Sequence, residues 1–286
     1  MTAMTRRIAV LAERLGRDDI LTLASSIAYA ALLSIFPLLI GLVVLLSRVA
    51  SEAEAQRVVL TALSPYLPSA ALELVRQTLE DVFATREAAG LLALVALFWS
   101  GTAVAGALRH GLNQVLHVRV VRPFWRRKLI DLALIALGGI ALSLSLITST
   151  MLTALSRVRA IGRFAELIFR NPSAPVIAVA GPVVFMGVAL VVIYHFLPNR
   201  RLRWRSVIAA ALTGLVLVEA TTRSFLWYLN TLADYPLVYG PLAGLVVFLL
   251  WVYLIALDVL FGGKVAGFVE EVLDRADAER SAGTQH

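Results

Sequence analysis

Cysteine is absent from the 286 residues. Its absence excludes disulfides, thiolate nucleophiles and cysteine metal sites, and leaves the redox compartment unreadable. Lysine is nearly absent too: Lys128 and Lys264 are the only two, and every other basic residue is arginine, a bias that points to a GC-rich bacterial genome. Charge of either sign is scarce, at 16%, against roughly 25% in soluble domains. What fills the space is apolar, since hydrophobic residues make up 59%. A soluble fold has too few charges here to cover that much apolar surface, and lipid removes the conflict because apolar side chains can then face outward. The expected fold class is therefore all-α, a polytopic membrane bundle of six transmembrane helices, because a helix satisfies its backbone groups within one segment.

Hydropathy places the helices at about 20–47, 88–108, 132–156, 173–197, 206–228 and 241–261. The first apolar run starts behind Asp18 and Asp19 and continues for more than about 20 residues without a charge, too long for a signal-peptide core, so it reads as a retained membrane helix. Residues 1–19 form an amphipathic segment with Ile8, Leu11 and Leu15 on one face and Arg6, Arg7, Arg14 and Arg17 around it. Residues 48–87 form an extracytoplasmic helical segment interrupted at Pro65 and Pro68, in which Leu72, Val75, Leu79 and Val82 make a stripe at helical spacing. Such a stripe packs on the bundle or offers a platform to a partner. Residues 20–263 are then one membrane domain, and 264–286 a polar tail.

The net charge of +7 is concentrated in loops. The N-terminus, the second loop (Arg109, Arg119, Arg122, Arg126, Arg127, Lys128) and the fourth loop (Arg200, Arg201, Arg203, Arg205) are basic, whereas the first has an acid excess and the fifth carries only Asp234. Positive loops stay on the cytoplasmic side, so both termini are expected in the cytoplasm. The third loop, with Arg157, Arg159, Arg163 and Arg170, runs against the pattern and is outvoted. No internal repeat of the kind that marks inverted-repeat transporters is visible.

Several stretches occur in an order that resembles the YihY/BrkB-like family of bacterial inner membrane proteins. They are Ala24-Ser25-Ser26-Ile27-Ala28-Tyr29 with Leu33-Ser34-Ile35-Phe36-Pro37-Leu38; Trp99-Ser100 and Asn113; Arg122-Pro123-Phe124-Trp125-Arg126-Arg127; Leu197-Pro198-Asn199-Arg200-Arg201 with Trp204; and Tyr239-Gly240, Leu250-Trp251-Val252-Tyr253 and Gly262. The chain departs from the family pattern at Ala210-Ala211, Leu116 and Lys264. The resemblance implies a six-helix inner membrane protein with transport, envelope or lipid-related roles, a virulence-factor label and an older ribonuclease label.

Two groups of residues carry chemistry. Glu219 and Arg223 lie inside the fifth helix at i, i+4, where charges at membrane depth usually face the bundle interior or a wet cavity. The readings open to them are a substrate or ion site, a proton-coupling carboxylate, a neutralised structural pair, or residues near the outer interface where Arg223 can snorkel. Pro37, Pro175 and Pro182 break backbone hydrogen bonding and suggest either a cavity between helices one, four and five or static packing kinks. The second group is Arg122, Trp125, Arg126, Arg127 and Lys128, which joins cations to interfacial aromatics and suits an anionic lipid headgroup or a plain positive-inside anchor. Asp258 reads as an interfacial residue. His195 reads as a satisfied interface residue, and His110 and His117 lack the companions a metal needs. No metal and no cofactor are expected.

The leading functional reading is a transporter or lipid-handling protein of the bacterial envelope, with anionic membrane lipids as partners. A non-transporting scaffold, working through a second copy of the chain or another envelope protein at residues 48–87, is the alternative. Catalysis, ribonuclease chemistry in particular, is disfavoured because no carboxylates or histidines cluster as metal-dependent phosphoryl transfer requires. Nucleic acid is not expected as a partner, since the basic charge belongs to the membrane surface.

Overall fold

The computed structural model describes residues 19–46, 51–64, 68–118, 122–134, 174–231 and 242–283. Among these the chain is helical, without strands. The elements are α1 (Ile20–Leu46), α2 (Glu52–Leu63), α3 (Ser69–Val115), α4 (residues 124–134), α5 (Ala174–Phe196), α6 (Trp204–Thr231) and α7 (Ala243–Gly283). The expected amphipathic segment at 1–18, most of the helix at 132–156, the third loop and the turn at 232–241 lie outside the described residues.

Two helices differ from the sequence reading. α3 runs unbroken through residue 88, joining the expected extracytoplasmic helix to the expected second membrane helix in one rod of 47 residues, about 70 Å long. The stretch carries no glycine or proline between Pro68 and Gly90, so nothing in it stops a helix. α7 likewise continues through the expected polar tail to Gly283, over 41 residues. Polarity ended the hydropathy signal there, but Glu, Asp, Arg and Ala are tolerated in a solvated helix.

By length and composition, two described stretches suffice to cross a membrane, Trp204–Leu229 and Ala243–Ser281, with Ile20–Ile35 and Val183–Phe196 as shorter apolar helices. The six expected crossings thus reduce to two among the described residues. The apolar half of α3 is fused to a charged half, and the candidate at 132–156 is mostly outside the described residues.

α7 is the central element, packed on α1, α3 and α6, while α1 lies along α3 and α5 lies on α6. Close approach depends on two glycines. A Cβ on Gly244 would stand 2.8 Å from the Ala70 carbonyl oxygen, and one on Gly262 would stand 2.9 Å from the Ala210 carbonyl oxygen and collide with the Tyr194 hydroxyl. Tyr194 itself is fully buried, and its hydroxyl donates to the Val259 carbonyl at 2.7 Å, tying α5 to α7.

The core divides into two clusters. One joins Ile27, Leu112, Leu190, Tyr194, Val207 and Leu260 from α1, α3, α5, α6 and α7. The other joins Ile35, Val59, Ala71, Val75, Leu79 and Phe248 at the opposite end. Val75 and Leu79 are fully buried, so the stripe seen in the sequence is occupied by intramolecular packing. α3 ends in a C-terminal motif that normally takes glycine. His117 adopts φ 53, its N–H donates to the Gln114 carbonyl at 3.1 Å, and the Val118 N–H donates to the Asn113 carbonyl at 2.8 Å. His117 therefore caps a helix, which accounts for it without a metal.

Candidate functional site: a basic and aromatic end, and an acidic cavity

The end of the bundle where α3 stops gathers the second and fourth loops. Pro123 precedes α4, and its carbonyl accepts from the Arg127 N–H at 3.2 Å, a position where the missing proline donor costs nothing. Phe124 opens α4, so Arg127 and Lys128 follow at i+3 and i+4 on the same face. Their cationic groups accordingly lie over the Phe124 ring, at 6.0 Å and 5.8 Å from its centre. Arg126 lies 5.0 Å over Trp125. Trp125 is 58% exposed, and Phe124, Phe196 and Trp204 are exposed beside it. His195 stacks on Trp204 with ring centres 4.5 Å apart. The amphipathic rings thus form a belt of the kind found at headgroup depth.

Two cross-links set the loops together. Asn113 Oδ1 accepts from the Asn199 N–H at 2.8 Å, and Arg122 Nη1 donates to the Phe196 carbonyl at 3.0 Å. Lys128 Nζ donates to Thr102 Oγ1 at 2.9 Å. Beneath them Arg109, only 6% exposed, is paired with the buried Asp131. Arg109 also feels the charges of Arg127 and Arg122. Its Nε and the Nε of Arg127 are buried without a hydrogen-bond partner.

Among the described residues no carboxylate pairs with Arg122, Arg126, Arg127 or Arg201. Arg122 shows the consequence. Burial first, then the like charges of Arg201 and Arg126, pull its guanidinium below the usual arginine value. Arg200 and Arg203 behave differently, because α7 supplies acids. Arg203 Nη2 lies 3.1 Å from Asp274 and 3.0 Å from Asp277, and Arg200 Nη2 lies 3.4 Å from Asp274. The buried Glu270 accepts from the Arg203 N–H at 2.6 Å.

The predicted Glu219–Arg223 pair forms, with Arg223 Nη2 2.6 Å from Glu219 Oε1. Its side chains are 71% exposed for Arg223 and 40% for Glu219, so among the described residues the pair lies on an outward face of α6 and not in an interior. Pro37 is half-buried within α1, and Pro182 lies within α5. Pro37 is not among the residues that line a cavity formed by the described helices. That cavity, of about 380 Å³, lies between the start of α1, α6 and α7, and is lined by Asp19, Ile20, Leu217, Leu257, Asp258 and Phe261 among others. The acid that faces it is Asp258, whose Oδ2 is buried without a hydrogen-bond partner.

Sequence reasoning treated Asp258 as an interfacial residue. Its i−4 and i+3 neighbours are apolar, and that is the signal that it shares a buried face. The contributions of Arg109, Asp131, Arg201 and Trp204 were also missed, because they converge only through tertiary packing. Among the described residues no three histidine or acidic side chains gather as a metal site would require.

Comparison with known proteins gives a consistent result. The model of a family described as Virulence factor BrkB matches residues 11–285. A UPF0761 membrane protein of Alkalilimnicola ehrlichii is 29% identical over 276 residues, covering 96% of this chain and 60% of the relative. Another, from Paraburkholderia xenovorans, is 29% identical over 270 residues, covering 93% of this chain and 60% of the relative. One from Ralstonia nicotianae is 31% identical over 179 residues, covering 63% of this chain and 38% of the relative. The aligned regions thus span 60% or less of the length of these relatives. No solved structure matches.

Proposed function

The chain belongs to the BrkB family of membrane proteins, and from that premise we propose that it binds and handles anionic lipids of the bacterial envelope, holding their headgroups at its basic and aromatic end. The observation that carries this reading is the set of arginines that, among the described residues, have no carboxylate partner, two of them, Arg126 and Arg127, lying over the exposed rings of Trp125 and Phe124. Cations near an anionic membrane surface gain about 1 kcal/mol each, and a phosphate would supply the charge that Arg122, Arg126, Arg127 and Arg201 lack.

The same reading places the protein in the inner membrane with six crossings and cytoplasmic termini, supported by the arginine-rich loops. It gives the protein no catalytic role, no cofactor and no nucleic-acid partner. A scaffold working through residues 48–87 draws little support, because Val75 and Leu79 are buried in the bundle.

Native mass spectrometry of the protein in mild detergent tests the proposal. The wild type is expected to retain anionic phospholipid well above its share of the membrane, and an Arg122/Arg126/Arg127→Ala variant to lose it. Equal carriage of bulk lipid by both would overturn it.

A further inference from the structure

The cavity between α1, α6 and α7 presents a second and opposite chemistry. Its walls are apolar at Ile20, Leu217, Leu257 and Phe261, and its polar contributors are Asp258 and Asp19. Among the described residues no lysine, arginine or histidine lines it. Asp258 Oδ2 is shut off from water and makes no hydrogen bond. The described groups around Asp258 supply no counter-charge. Thr221 of α6 hydrogen-bonds the carboxyl, and Tyr194 of α5 feels its charge, but that phenol already donates to Val259. An ionised carboxylate in such surroundings needs a counter-charge, and among the described residues the protein provides none.

We propose that this cavity is a binding site for a primary ammonium group carried on an apolar body, with Asp258 as its counter-ion and Asp19 at the rim. A bare divalent cation fits poorly, because calcium takes 6–8 oxygen ligands and magnesium a full octahedron, whereas the wall is otherwise hydrocarbon. A volume of about 380 Å³ lies in the range of small-molecule sites, which combine apolar walls with a few placed polar groups. An alkylammonium meets both demands. Its nitrogen pairs with Asp258 while its chain lies against Leu217, Leu257 and Phe261.

The test uses the full chain in detergent, with n-octylammonium as the probe and 1-octanol as its uncharged counterpart, read by native mass spectrometry and by isothermal titration. Saturable binding of octylammonium is expected, with octanol much weaker. Asp258→Asn should weaken octylammonium by about tenfold or more, the loss of one charge-assisted hydrogen bond. Leu217→Phe fills the cavity without touching the carboxylate and should also block binding, so the test does not depend on one variant folding. Competition with phosphatidylethanolamine and phosphatidylcholine separates the sources. Displacement by the former alone identifies a lipid-borne ammonium, and displacement by neither identifies a soluble amine, both consistent with the site. Octanol binding as well as octylammonium, or unchanged binding in both variants, overturns the proposal.

Discussion

Arg200 and Arg203 meet acids from the extended end of α7, while Arg201 beside them in the chain, and Arg122, Arg126 and Arg127 from the second loop at the same end of the bundle, meet none among the described residues. The first group is held by Glu270, Asp274 and Asp277. The second has Asp131 beneath it, already committed to Arg109, and offers aromatic rings instead of carboxylates. The difference teaches that charge balance is local. Arg200 and Arg203 are neutralised by the protein and so fasten the start of α6 to α7. Arg201 and the second-loop arginines keep their charge available to whatever lies at the membrane surface, and the exposed Phe124 and Trp125 rings suit headgroup depth.

The largest expected effect concerns the acid beneath the un-neutralised group. Asp131→Leu would leave Arg109 buried and unpaired, a change that costs about 3–5 kcal/mol. Thermal unfolding in detergent should show a large loss, and an unchanged midpoint would mean that the pair contributes little. Next comes the group itself. Removing three cations with Arg122/Arg126/Arg127→Ala should weaken anionic lipid binding on the order of a hundredfold, at about 1 kcal/mol each, with little change in melting. Glu270→Ala probes the neutralised side, where loss of the acceptor for the Arg203 N–H should cost about 1–3 kcal/mol of stability and leave lipid binding intact. The smallest effect is expected at the far end. Glu73, hydrogen-bonded to Arg76 at 2.6 Å, has its carboxyl held down at about 2, by Arg76 first and Gln77 second. A depressed carboxyl contributes stability above its unfolded value of about 4.3, and that contribution fades as pH falls through about 2. The pair is solvent-exposed and screened, so wild type and Glu73→Gln should melt alike at pH 7 and pH 3. A clear gap at pH 7 would show that exposed pairs matter here as much as buried ones.

The helical class and the basic loops were legible in the sequence because both depend on local composition. Arg122, Trp125, Arg126, Arg127 and Lys128 were legible as a basic and aromatic stretch from composition, but the helix that sets Arg127 and Lys128 over Phe124 was not, since the stretch read as a loop. The length of α3 was not, because hydropathy ends where charge begins while helix propensity continues through Glu73, Arg76 and Glu80. The sequence left Glu219 and Arg223 open between the bundle interior and the outer interface, because the phase of a nearly uniform apolar helix is set only by its neighbours; among the described residues both side chains are exposed. Asp258 faces the cavity through the packing of α7 on α1 and α6, which no stretch of sequence records. The convergence of the second and fourth loops depends likewise on Asn113 meeting Asn199 across 86 residues of chain.

The most direct test of the account compares the two arginine groups in one assay. Wild type, Arg122/Arg126/Arg127→Ala and Arg200/Arg203→Ala would be placed in nanodiscs containing a small fraction of anionic phospholipid, and retention of that lipid measured across a salt series. The account predicts that the Arg122/Arg126/Arg127 variant loses retention and salt dependence, while the Arg200/Arg203 variant keeps both. Equal loss in the two variants, or no loss in either, would contradict it.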